Sequence, residues 1–219
     1  MSEHFDIVIA GGGMVGISLA LQLGAVLPVE TTILLVEGAP MPAMAESGVP
    51  DYHPAFDARS TALSYSSRQI YEEMGVWDGL RQWLCAIESI HISSRGRFGS
   101  TLLRASDYCW SGLGYVVENA WLGNALIQLL YRQGRVEMRC PVKVVGAKPD
   151  GKRVTLDLEC DGLHGHFSTD LLLVADGANS RLRDQLGIAV NEKPYQQHAL
   201  VAQQKRCSPP MHVADRASH

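Results

Sequence analysis

From Phe5 to Ala10 the chain is an apolar, β-branched run ending at Gly11, the pattern of a strand covered on both faces of a parallel sheet. Val15, Leu19, Leu23 and Val26 then recur at helical spacing, which predicts a helix from Met14 to Leu27 closed by Pro28. Thr32 to Val36 reads as a second buried strand, ending at Glu37. Strand, helix and strand in succession make a βαβ unit, whose crossover is right-handed. Gly38 to Pro54 holds four prolines, which forbids regular structure and predicts a long surface loop.

Beyond that loop the period changes repeatedly. Ser60 to Met74 reads as a helix with Ser60 or Thr61 as its cap and Gly75 as its stop. Ile87 to Ser93 and Ser100 to Arg104 read as strands on either side of Arg95-Gly96-Arg97, and Gly114 to Val117 as a short strand leading into a helix from about Ala120 to Arg132. Val142 to Lys148, Arg153 to Glu159 and Leu163 to Ser168 are three strands joined by Asp150-Gly151 and Asp161-Gly162, dipeptides suited to tight hairpin turns. Leu171 to Ala175 is a continuous apolar run again, returning the chain to the parallel sheet. The expected class is α/β, a Rossmann-like parallel sheet with an inserted antiparallel β-meander. Gln203 to His219 carries no periodic apolar pattern and reads as a disordered or off-frame tail, residues 203–219.

Composition narrows the function classes. With 46% hydrophobic residues and a net charge of −4, the chain can bury a core but offers no broad cationic surface, so nucleic acid is not an expected partner. Five cysteines, odd in number and never spaced C-x-x-C, fit neither a disulfide framework nor a zinc site and point to reduced thiols in a cytoplasm. No signal peptide is legible between Met1 and Ala10, and no run approaches the roughly 20 apolar residues of a spanning helix. His164 and His166 share one strand face and read as a wet surface, so no metal is expected.

The chemistry concentrates where the first strand meets the first helix. Gly11, Gly13 and Gly16 form G-x-G-x-x-G: the first permits a tight turn, the second lets a pyrophosphate approach the backbone, and the third lets helix pack on strand. The free N–H groups at Met14 and Val15, with the helix dipole, then hold the anion. Glu37 follows 21 residues after Gly16 at the end of the second strand, where a carboxylate accepts the adenosine ribose hydroxyls. This fingerprint fits FAD and NAD alike.

A second segment separates them. Leu171 to Arg183 reads LLLVADGANSRLR, and Asp176, Gly177, Ser180 and Arg183 match the D-G-x-x-S-x-x-R motif of FAD-dependent aromatic hydroxylases. Ser180 can cap a helix there and Arg183 can meet a phosphate. Phe56 to Leu63, FDARSTAL, resembles the F-D-x-R-x-x-A-L segment of the hydroxylases of ubiquinone biosynthesis, and Val116 to Asn119 their V-V-E-N segment. Ile90 to Gly96 with Phe98-Gly99 is similar to the branch acting on 2-polyprenyl-6-methoxyphenol.

The resemblance runs from about residue 5 to 202 and implies an FAD-binding domain over 1–202 with incomplete substrate-domain segments at about 75–118. By the same resemblance Arg59 contacts the cofactor and Asn119 lies near the flavin, beside the plainer readings of a surface ion pair and a helix cap. It further implies NAD(P)H as reductant, O2, a polyprenyl phenol substrate, partner enzymes of ubiquinone synthesis and peripheral association with the inner membrane; no catalytic acid or base is assigned. No Gly-Asp pair occurs, so the family's downstream flavin motif is missing and the chain is expected to be incomplete. The alternatives are a non-catalytic FAD-binding remnant or scaffold and an NAD-dependent dehydrogenase.

Overall fold

The computed structural model of the chain describes residues 3–42, 53–57, 59–94, 96, 98–194 and 213–218. In chain order the elements are β1 (Glu3–Ala10), α1 (Met14–Val26), β2 (Ile33–Val36), β3 (Ser60–Ser64), α2 (Tyr65–Glu73), α3 (Trp77–Leu80), β4 (Cys85–Ile87), β5 (Ser89–Ser94) and β6 (Ser100–Arg104). There follow β7 (Gly114–Glu118), α4 (Asn119–Gln133), β8 (Glu137–Arg139), β9 (Lys143–Asp150), β10 (Arg153–Cys160), β11 (Leu163–Val174), α5 (Arg181–Gln185) and β12 (Val213–Ser218). They divide into two compact units, residues 1–57 with 120–195 and residues 58–119 with 196–219. No described helix is long and apolar enough to cross a membrane.

The first unit is built on a six-stranded sheet in the order β8-β2-β1-β11-β10-β9. β1 is parallel to both β2 and β11, and β8 is parallel to β2. Burial on both faces explains why β1 and β2 show apolar runs rather than alternation. Val8, with its register partners Leu34 and Leu172, forms one face and packs with Leu156, Leu158 and Val144, so the antiparallel strands fold against the parallel ones. Ile7, Ile9, Ile33 and Leu35 are buried on the opposite face. Burying each such side chain contributes about 1.5–3 kcal/mol before entropy is counted.

The meander's third strand and the returning parallel strand are a single element. β11 pairs antiparallel with β10 through its first half and parallel with β1 through its second. Thr169 stands at the changeover, opposite both Phe5 and Val154, with its single hydroxyl proton within reach of two carbonyl oxygens, those of Asp6 at 3.2 Å and Leu171 at 3.0 Å. That satisfies its hydroxyl inside the sheet and carries the strand through a position that reads as a break. The β10–β11 turn keeps the expected form, with positive φ at Asp161 and Gly162.

The second unit holds two three-stranded sheets, β3-β7-β4 and β12-β5-β6. Trp77 and Tyr115 meet edge to face at 4.9 Å, and Arg68 donates to the Tyr115 hydroxyl at 2.8 Å and to Ser111 at 2.6 Å. Two expectations fail here. Ser60–Ser64 is a strand paired with β7, and the helix begins afterwards, capped by the Ser64 hydroxyl, which accepts from the N–H of Ser67 at 3.1 Å. Of the tail at 203–219, Val213–Ser218 is a strand parallel to β5, because a strand edge offers unpaired N–H and C=O groups to any extended segment; the rest lies outside the described residues. Residues 43–52 of the expected loop also lie outside them.

Candidate functional site

The first unit gathers ten of the expected site residues at the carboxyl ends of β1, β2 and β11, where ligands bind in open α/β sheets. β1 ends on Gly11, whose N–H donates to the Val36 carbonyl at 2.8 Å, while Ala175 N–H returns to the Ala10 carbonyl at 2.8 Å. Gly11 has φ +112, and a side chain there would strike the backbone of Ala175 and Asp176. The turn of the first motif and the strand end of the second are therefore in direct backbone contact.

The three fingerprint glycines have different physical reasons. At Gly16 a Cβ would overlap the Gly11 carbonyl oxygen, so this glycine lets α1 close onto the end of β1. At Gly13 the backbone is ordinary, φ −75 and ψ −174, and the nearest atom to a Cβ would be the Ala55 methyl at 3.7 Å. No other described residue comes within 4 Å of that position, so none of them demands glycine at 13. Gly13 is also the N-cap of α1 with no side chain capping it, and no acidic residue stands in the first turn. The N–H groups of half-buried Met14 and exposed Val15 thus begin a helix with no acidic residue in its own first turn.

Glu37 is fixed on three sides. Its N–H donates to the Arg139 carbonyl at 3.0 Å, and its own carbonyl accepts from Val142 N–H at 2.8 Å. The carboxylate accepts from Gly12 N–H at 2.6 Å and from Ala39 N–H at 2.8 Å, one oxygen each. Each carboxylate oxygen has a further lone pair for a hydroxyl donor. Gly12, outside the fingerprint's fixed positions, is needed because a Cβ would come within 2.8 Å of the Glu37 Cβ. Beside Glu37 a cleft of about 460 Å³ opens, lined among others by Gly11, Val142, Val144, Asp176 and Leu182. Its size falls within the range of small-molecule sites, about 300–1,000 Å³.

In the second motif Asp176 is exposed at the cleft and Gly177, at φ +96, faces open space. Ser180 is buried and caps α5 by accepting from Arg183 N–H at 3.0 Å. Arg183 turns back on its own loop, Nη1 donating to the Ala178 carbonyl at 2.8 Å, and its buried Nε has no partner among the described residues. Arg59 and Asn119 belong to the second unit, where Asn119 N–H donates to the Arg59 carbonyl at 2.8 Å. The Asn119 side chain is buried and accepts from the Thr61 hydroxyl at 2.6 Å, so it ties the start of α4 to β3.

Three features escaped the sequence reading. The start of β9 forms a wall of the cleft, yet its apolar residues look like any strand. Asp157 accepts or shares a proton with His166 at 2.8 Å, giving that histidine a carboxylate neighbour. His53 is 1% exposed, and burial holds its pKa below the ordinary histidine range while the nearby Glu37 charge pulls it up. Among the described residues, His4, Asp6 and Asp170 lie close enough together to hold a cation, but Asp6 already accepts from the Thr32 amide and hydroxyl at 2.7 Å each.

The arrangement fits the ADP end of a dinucleotide: an uncapped helix start, a space only glycine leaves open, and a carboxylate at the second strand's end. No family model matches the chain. The chain is 31% identical over 200 residues to the 3-demethoxyubiquinol 3-hydroxylase of Escherichia coli, covering 91% of this chain and 48% of that protein. It is 28% identical to the mitochondrial ubiquinone biosynthesis monooxygenase COQ6 of Caenorhabditis elegans, covering 92% and 44%, respectively. Among solved structures, p-nitrophenol 4-monooxygenase PnpA from Pseudomonas putida superposes with a TM-score of 0.66 at 20% identity, over 85% of this chain and 44% of that one. The flavin-dependent monooxygenase PieE superposes with a TM-score of 0.65 at 20% identity, over 86% and 33%. The chain spans about half the length of the curated relatives it matches. It therefore has the FAD/NAD(P)-binding fold of the FAD-dependent monooxygenases and resembles, along nine-tenths of its own length, the hydroxylases of ubiquinone biosynthesis.

Proposed function

We propose that the chain binds FAD through Gly11, Gly13, Met14, Val15, Gly16 and Glu37, with the Asp176–Arg183 turn closing the site, and serves an aromatic-ring hydroxylase of ubiquinone biosynthesis. The observation that carries this reading is Gly13: the fold leaves it uncrowded, at an uncapped helix start, beside a glutamate with spare acceptor capacity. The first-turn N–H groups would hold the pyrophosphate, and Glu37 would accept the adenosine ribose hydroxyls. Arg59 and Asn119 are proposed contacts toward the flavin. When bound, the flavin supplies the redox chemistry; the chain's residues orient it and keep water from it.

In this reading NAD(P)H is the reductant, O2 supplies the oxygen, and the substrate is a polyprenyl methoxyphenol, which fits a protein working at the inner-membrane surface beside partner enzymes. The purified chain is expected to be yellow, or to become so with added FAD, and to release FAD on denaturation. A colourless chain whose fluorescence titration shows no FAD binding would overturn the proposal. Displacement of FAD by NADH at equal concentration would instead favour a nicotinamide dehydrogenase.

A further inference from the structure

We infer that Lys143 flanks the adenine of the bound dinucleotide, its methylene stem laid along Gly38 and its ammonium against the purine face, a binding contact that neither motif contains. The inference deepens the FAD-binding reading and rests on it. Lys143 is exposed and lines the cleft together with Glu37 and Gly38. Its Cγ, Cε and Cδ lie 2.8, 3.3 and 3.6 Å from where a Cβ on Gly38 would stand, so the lysine stem occupies the space that a side chain at 38 would fill. A lysine stem covers neighbouring surface in this way while its charged end stays accessible.

Local electrostatics do not explain that course. Across the β9–β10 ladder Lys143 stands opposite Glu159, a position where opposite charges attract. No ion pair joins the two among the described residues, although Lys148 of the same strand reaches Asp157 at 3.1 Å. The position of the base does explain it. Glu37 would take the ribose hydroxyls and the first turn of α1 the pyrophosphate, so the adenine, bonded to the same ribose, extends from Glu37 away from the helix start. The cleft of about 460 Å³ lies on that side: Glu37 lines it, and Gly13, Met14 and Val15 do not. Its far wall is α5, where Leu182 is buried and the Gln185 amide donates to the Val145 carbonyl at 2.9 Å, tying that wall to β9. A purine entering between these walls meets the Lys143 side chain at the rim, and its electron-rich face attracts the ammonium.

The test uses the full chain as wild type and Lys143→Met, which keeps a stem of similar length and removes the charge. The probes are FAD, ADP and inorganic pyrophosphate, with ligand-free melting as the control for folding. Lys143→Met is expected to weaken FAD and ADP alike by about twofold to fivefold, the scale of a cation–π contact at an exposed site, and to bind pyrophosphate as the wild type does. The chain has five lysines, so in ¹³C-lysine spectra the Lys143 signals are those that Lys143→Met removes. The ring current of a stacked purine is expected to move the Lys143 Hε signals upfield with ADP, and pyrophosphate to leave them in place. Unchanged ADP affinity in Lys143→Met, equal weakening of ADP and pyrophosphate, or Hε signals that ADP does not move would overturn the inference. A wild type that binds neither FAD nor ADP would refute the FAD-binding reading itself, which is a different outcome from a wild type that binds both while Lys143 makes no difference.

Discussion

Replacing Gly13 and Gly16 separately by alanine should separate what the ligand requires from what the fold requires. At Gly16 the new methyl group would overlap the Gly11 carbonyl oxygen, a backbone atom that no side-chain rotation can move aside. Relief means prising α1 from the end of β1, an overpacking cost of about 1–3 kcal/mol, offset by up to about 1 kcal/mol of better helix propensity. For a chain of this size each kcal/mol moves the melting temperature by about 2–4 °C, so Gly16→Ala should melt several degrees below wild type. At Gly13 the methyl group meets, among the described residues, only Ala55 at 3.7 Å, and the backbone suits any residue. Losing glycine at an N-cap costs under about 1 kcal/mol, so the ligand-free Gly13→Ala protein should melt within about 3 °C of wild type. Its FAD affinity should nonetheless fall at least about tenfold, because the methyl group stands where the pyrophosphate approaches. Ligand-free melting by circular dichroism and FAD titration by fluorescence give the two readouts. A Gly13→Ala protein that binds FAD as wild type does, or a Gly16→Ala protein that melts unchanged, would refute the reasoning at that position.

Glu37→Gln should act on both readouts. The amide keeps one acceptor oxygen where the carboxylate serves Gly12 and Ala39 with one each, so ligand-free stability should drop by about 1 kcal/mol and FAD binding by about 1.5–3 kcal/mol, measured in the same two assays. Asp6 gives a pH prediction. Hydrogen bonds from the Thr32 amide and hydroxyl hold its carboxyl below the ordinary range, so the unfolded chain takes up its proton first as pH falls. Its contribution is therefore complete above about pH 4 and is lost below it. Asp6→Asn should melt below wild type at pH 7 and converge with it on acidification; a constant difference across that range would contradict the assignment.

What the sequence alone determined is local. β1, α1 and β2 were legible because each pattern is complete within its own segment: a strand buried on both faces, a helical stripe, and glycines where a turn must be tight. The D-G-x-x-S-x-x-R spacing likewise contained the cap that Ser180 makes to Arg183. Tertiary pairing decided the rest. Ser60, Thr61 and Ser64 are all acceptable helix caps, and only the register of Thr61 against Val117 turned the first five residues into a strand and left Ser64 as the cap. Leu163–Ser168 and Leu171–Ala175 looked like two strands because Thr169-Asp170 interrupts the apolar run; simultaneous pairing with β10 and β1 made one strand, Leu163–Val174. The fingerprint named three glycines without saying which the fold needs and which it leaves open, since that depends on where Gly11, Ala55 and Ala175 come to lie. For the same reason His53 carried no signal in the chain, for a histidine becomes buried only when distant segments close around it.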